Sequence, residues 1–165
     1  MPILNFRAEG VTEKGDVRPA PELMAHLGPV VQVTIHLPEE VAQAYADRGE
    51  TSPPPINGYA IIDTGATMTC FDAEAAQAAG LPTIGDADMS SASHMSSRVP
   101  VFAGKIFVPG LGIGINIAEG MGANLSSINL KNSDGEALVA LLGRDFLRNT
   151  VLVYNGSDGH FSLST

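Results

Sequence analysis

Apolar and polar residues alternate most cleanly near the start of the chain, where Val31, Val33 and Ile35 interleave with Gln32, Thr34 and His36. A period of two puts each set on its own face of a pleated strand. The segment therefore reads as a half-buried β-strand, opened by Gly28-Pro29 and closed by Leu37-Pro38. Tyr59-Ala60-Ile61-Ile62 is a second, more apolar strand that leaves the loop Thr51-Ser52-Pro53-Pro54-Pro55 and runs straight into Asp63. Val99 to Val108, Ile115 to Ile117 and Ala137 to Leu142 are further strands, the last a continuous apolar run ending at Gly143. Val151 to Tyr154 and His160 to Leu163 flank Asn155-Gly156-Ser157-Asp158-Gly159 as a hairpin. Helical signals are few. Glu39 to Asp47 favours a turn or two, ended by Arg48-Gly49. Asp72 can cap a short helix over Ala73 to Ala79, which Gly80 and Pro82 stop. Arg144 to Arg148 reads as one more helical turn.

The remaining segments are loops. Residues 1–28 are mixed and polar, punctuated by Gly10, Gly15, Pro19 and Pro21, with a short strand at Ile3 to Phe6. Residues 83–98 are small and polar, suited to an exposed hairpin. Residues 120–136 are loop-rich. The organisation that follows is an N-terminal arm or extension over residues 1–27 and one domain over 28–165. Its expected class is all-β, with one or two short helices. The 18 glycines and 11 prolines, spread along the chain, agree with many short strands and turns.

Charge narrows the partners. A formal net charge of −9, with nine Lys and Arg, leaves no basic face for phosphates, so no nucleic-acid partner is expected. Met1 to Arg7 lacks the charged start and apolar run of a signal peptide, and no stretch approaches the ~18 apolar residues that span a bilayer. The single cysteine, Cys70, permits no intrachain disulfide. A cytoplasmic protein without a membrane partner is the expectation.

Two segments carry candidate chemistry. The strand Tyr59 to Ile62 delivers Asp63-Thr64-Gly65-Ala66, and the later strand ends Leu141-Leu142-Gly143-Arg144-Asp145. Either alone reads as a strand-to-turn junction, because Asp and Gly both favour turns. As a pair they resemble the retropepsin family of aspartic proteases, whose pattern is an apolar pair, Asp-Thr/Ser-Gly-Ala, a flap hairpin, and then a strand of form apolar-apolar-Gly-Arg-Asp/Asn entering a short helix. Ile61 and Ile62, Asp63 to Ala66 and Leu141 to Asp145 match it. The tail from Phe146 to Leu163 is similar to the closing strands of pepsin-type lobes, and the resemblance covers roughly residues 28–164.

The resemblance implies an acid-protease barrel with a flap hairpin whose tip lies near Ala92-Ser93-His94. It implies a catalytic group of Asp63, Thr64 and Gly65. Substrate contacts fall to Ala66, Thr67, Ser91, Ala92, Ser93 and His94, and support of the catalytic loop to Leu141, Leu142, Gly143, Arg144 and Asp145. No cofactor and no metal are implied. Such chemistry needs two close carboxylates sharing a proton, one acting as base and the other as acid. The chain holds one Asp-Thr-Gly, so the second carboxylate must come from another copy. The expectation is a homodimeric aspartic endopeptidase acting on a peptide or protein substrate; the alternative is a peptide-binding or dimerisation module of the same fold with little turnover. One departure stands out. Retroviral members carry an acidic residue directly after the Ala, paired with the Arg of the later strand, whereas this chain has Thr67. Arg144 must then find Asp145 or a loop carbonyl.

Other sites fall away. His26, His36, His94 and His160 are scattered, and there is no second cysteine to complete a zinc set. Gly110-Leu111-Gly112-Ile113-Gly114 lacks the third glycine and the helix of a dinucleotide loop and reads as a turn. Cys70, with no neighbouring base, reads as a small buried apolar residue.

Overall fold

A computed structural model describes residues 2–8, 18–91, 94–126 and 135–165. In chain order the elements are β1 (Ile3–Arg7), α1 (Ala20–Leu27), β2 (Val30–His36), α2 (Glu39–Asp47), β3 (Ile56–Ile62), β4 (Cys70–Asp72) and α3 (Ala73–Ala78). They continue with β5 (Thr83–Ser91), β6 (His94–Val108), β7 (Ile113–Ala123), β8 (Leu138–Leu142), α4 (Arg144–Leu147), β9 (Val151–Asn155) and β10 (His160–Ser164). The chain is mostly β. Four short helices stand among the described residues where one or two were expected.

Strands β2, β3, β8, β4, β7 and β6 follow one another in a sheet, and pairing of β2 with β6 closes it into a six-stranded barrel. The barrel is mixed: β3–β8 and β4–β7 run parallel, and the other neighbours are antiparallel. Val31, Val33 and Ile35 point inward from β2 and meet Ala60, Ile62, Phe71, Phe102, Ile106 and Leu142 in the core. The inward alternation read from the sequence is what lets β2 face water on one side. β3 and β8 are apolar on both faces for a different reason. Tyr59 and Leu138 turn outward into a second buried cluster with Cys70, Ala123 and Leu125. Burial there pushes the Tyr59 phenol up to about 12.

Two segments differ from the sequence reading. β7 spans Ile113–Ala123, well beyond Ile115 to Ile117, because its glycines make room for rings rather than break the strand. A Cβ at Gly120 would overlap the Phe71 ring, and one at Gly122 would come within 2.7 Å of the Phe102 ring. Residues 20–27, read as part of an arm, form α1. Pro19 and Pro21 punctuate the sequence there but lie at the cap and in the first turn, where a missing N–H costs nothing. Ala20, Leu23 and Met24, at helical spacing, are buried.

β5 pairs only with β6, so the two project from the barrel as a hairpin. Ser91 and His94 face each other across the ladder. Beyond the barrel, β1, β10 and β9 form a separate antiparallel sheet. Its inner face carries Phe6 stacked on Phe161 at 5.2 Å between ring centroids, and Phe161 and Leu163 join the barrel core. No helix among the described residues is long and apolar enough to cross a membrane.

Candidate functional site

Parallel pairing of β3 with β8 sets Ile61 beside Leu141 and Ile62 beside Leu142. Both strands therefore end at the same rim, and the Asp63 N–H donates to the Leu142 carbonyl at 2.9 Å. Segments some 80 residues apart thus become one site. Asp63 is half-buried. Its Oδ1 accepts the N–H groups of Gly65 (2.9 Å) and Ala66 (3.2 Å), and the Ala66 N–H also reaches the Asp63 carbonyl. The loop is folded around its own carboxylate. Oδ2 has no hydrogen-bond partner among the described residues. Thr64 and Gly65 are exposed on the rim.

Arg144 locks the two halves together. Its Nη1 donates to the carbonyls of Thr64 (2.9 Å) and Gly65 (3.2 Å), and its Nη2 donates to Thr67 Oγ1 at 2.8 Å. The Arg144 N–H bonds the Ala66 carbonyl and the Asp145 N–H the Thr67 carbonyl. The partners of Arg144 are thus loop carbonyls and the Thr67 hydroxyl. With a neutral residue at 67, the planar guanidinium serves as a multi-pronged clamp on backbone oxygens instead of half of an ion pair. Asp145 faces elsewhere. Its Oδ1 accepts the Thr69 hydroxyl (2.8 Å) and the Phe146 N–H (2.8 Å).

The sequence pattern does not single out Thr69. It is fully buried, and its hydroxyl accepts the Gly143 N–H (3.2 Å) while donating to Asp145. The signal in the sequence is a polar residue directly before Cys70-Phe71, the start of the buried strand β4. Replacing Thr69 with valine keeps the shape but strands a buried N–H and removes a donor from a carboxylate. The expected loss is about 2–3 kcal/mol in urea unfolding, largely restored by serine. Asp72 does more than cap α3 through the Ala75 N–H (3.1 Å). Its other oxygen accepts the N–H groups of Leu125 and Ser126, both at 2.9 Å, and pins the chain leaving β7.

Cys70 is buried beside the site, and its thiol is pushed up to about 11, first by burial and then by the carboxylates of Asp63 and Asp145. A raised acid pKa means that the fold favours the protonated thiol. Its contribution to stability is complete below pH 9 and is lost as pH rises through about 11. At pH 8 a thiol reagent should label native Cys70 about 100-fold more slowly than the unfolded chain, read by following thiol release with and without denaturant.

Ala92 and Ser93, expected to touch substrate, lie outside the described residues, and Ser91 and His94 are described by backbone pairing alone. Among the described residues no group of three His, Cys, Asp or Glu could hold a metal ion. Beside the loop, Thr64, Arg144, Leu147, Arg148, Thr150 and Leu152 line an open depression of about 500 Å³. Comparison with known proteins found no matching family model, no similar curated protein and no similar solved structure.

Proposed function

We propose that the chain is a retropepsin-type aspartic endopeptidase that acts as a homodimer, with water activated between two Asp63 carboxylates, one from each subunit. The observation that carries this reading is Asp63 itself. One carboxylate oxygen is held by two backbone N–H groups, and the other has no hydrogen-bond partner among the described residues, at the rim of a closed barrel. A turn-forming aspartate has no need of a second strand, yet here β8 and the Arg144 clamp brace the loop from behind. Such bracing holds a reactive group in one geometry.

In the dimer, two such carboxylates close together resist ionising at once, so they share a proton and titrate as a pair. The ionised one takes a proton from water as the water oxygen attacks the scissile carbonyl, and the protonated one gives its proton to the carbonyl oxygen. The carboxyl that gained a proton then passes it to the amide nitrogen, the other carboxylate takes one back from a hydroxyl of the tetrahedral adduct, and the C–N bond breaks to release an amine and a carboxylic acid. A mildly acidic optimum follows. An extended peptide would lie between the rim and the β5–β6 hairpin, bonded through its main chain as an added strand.

A second reading, a peptide-binding or dimerisation module of the same fold, draws on Thr67, which stands where retroviral members of the family carry an acid. Digestion of a peptide library across pH 4–7 by the wild type and by Asp63→Asn separates the two. Cleavage that depends on Asp63 supports the protease, and a folded but silent wild-type dimer supports the module.

A further inference from the structure

Among the described residues Asp72 carries the one buried carboxylate, 4% exposed. Capping α3 does not call for it. One oxygen, Oδ2, meets the Ala75 N–H at 3.1 Å, a bond that serine or asparagine makes as well. The other, Oδ1, accepts the N–H groups of Leu125 and Ser126, each at 2.9 Å, from 53 and 54 residues further along the chain. Asparagine has a single acceptor oxygen and would serve one of these sites, not both. The three N–H groups offset the burial of the charge, and two of them belong to the chain leaving β7. That chain, rather than the helix, accounts for an aspartate at 72.

The barrel sets where that chain lies. β4 pairs with β8 through Cys70 and Leu141, and runs parallel to β7 up to the row of Asp72 and Ala123. There the backbone ladder stops, and the Asp72 side chain holds the next residues in its place. Leu125 is buried in the outer cluster with Cys70 and Tyr59. Ile61, Met89, Met121 and Leu141 pack against that cluster and are each partly exposed. Ile61 precedes Asp63 by two residues, Leu141 stands beside Ile61 on β8, and Met89 comes from β5 of the projecting hairpin. The apolar cluster thus reaches from the Asp63 rim to the hairpin, with Leu125 inside it.

We propose that Asp72 is a positioning residue for substrate: by fixing Leu125 and Ser126 it sets the shape of the apolar surface on which a substrate side chain rests. The proposal rests on the protease reading above, in which an extended peptide lies between rim and hairpin, along this surface. Asp72 touches no reacting atom. The bonds that hold the Asp63 loop run to Leu142, Gly65 and Ala66 and through Arg144, and none passes through Asp72. Loss of the pin therefore weakens binding and loosens the choice of side chain, while the chemical step keeps its groups.

Asp72→Ser and Leu125→Ala test it, through peptide-library cleavage and steady-state kinetics on one cleaved peptide. Serine keeps the α3 cap but, with one oxygen, cannot also hold Leu125 and Ser126. The expected result for Asp72→Ser is a KM raised about 10-fold, a kcat within about 3-fold of the wild type, and a cleavage profile that tolerates more side chains. Leu125→Ala leaves the carboxylate and the cap in place and opens space in the cluster, so its profile should shift toward larger apolar side chains. A folded Asp72→Ser with the KM and profile of the wild type, or a kcat that falls while KM holds, overturns the positioning role and leaves the protease standing. An unaltered profile in Leu125→Ala does the same, and decides the matter if Asp72→Ser does not fold. A wild type without cleavage that depends on Asp63 overturns both.

Discussion

Asp63→Asn is expected to lower peptide hydrolysis by about 10³-fold or more while the chain stays folded and associated. The substitution suits the site because asparagine keeps an oxygen where Oδ1 accepts the Gly65 and Ala66 N–H groups. Those bonds lose their ionic character, which costs about 1 kcal/mol and roughly 2–4 °C in Tm. Alanine would be a poorer probe. It removes the acceptor around which the loop is folded, so lost activity could reflect lost geometry. Sedimentation of Asp63→Asn alongside the assay separates failed chemistry from failed assembly. Turnover that survives the change in a folded protein would remove Asp63 from the mechanism and the protease reading with it.

The local grammar of the chain is legible in the sequence where one physical rule acts alone. Alternation over Val31, Val33 and Ile35 is a strand because one face meets the core and the other water. Asp72 caps α3 because its short side chain reaches a free N–H. Where two rules competed, sequence misled. Gly120 and Gly122 read as loop residues, since glycine weakens strands, yet aromatic rings from β4 and β6 need the space that a Cβ would fill. Pro19 and Pro21 read as breakers, yet they open α1.

The site shows the same division. That Asp63 ends an apolar strand is local and visible. That Gly143 lies beside it depends on a parallel pairing between strands some 80 residues apart, which no local pattern specifies. The sequence narrows the replacement for an acidic partner of Arg144 to Asp145 or a loop carbonyl. Geometry gives the carbonyls of Thr64 and Gly65 together with the Thr67 hydroxyl, because Asp145 is already engaged by Thr69. Thr69 is harder to read from the sequence. A buried hydroxyl acquires meaning only when both of its partners are known, and both lie more than 70 residues downstream.

Gly143→Ala is the largest effect expected away from the reacting group. Gly143 has φ −80° and ψ −175°, extended backbone that any residue adopts, so the penalty is steric and not conformational. A Cβ there would come 2.5 Å from the Met68 carbonyl carbon, 2.6 Å from its oxygen and 2.8 Å from the Thr69 nitrogen. These are backbone atoms and cannot swing aside as a side chain would. Either the end of β8 or the Met68–Thr69 segment must move. Both movements strain the bond from the Gly143 N–H to the Thr69 hydroxyl, and with it the link to Asp145. Overpacking and the weakened buried bond together cost about 2–4 kcal/mol. Activity should fall further than stability, because the Leu142 carbonyl that receives the Asp63 N–H sits one residue before the clash. Gly85→Ala is the control. Nothing lies within 4 Å of a Cβ at Gly85, so that change should stay within about 0.5 kcal/mol. Urea unfolding of both variants, with peptide hydrolysis measured on each, decides the matter: equal stability in the two would mean that the Gly143 contact with Met68 does not brace the Asp63 loop.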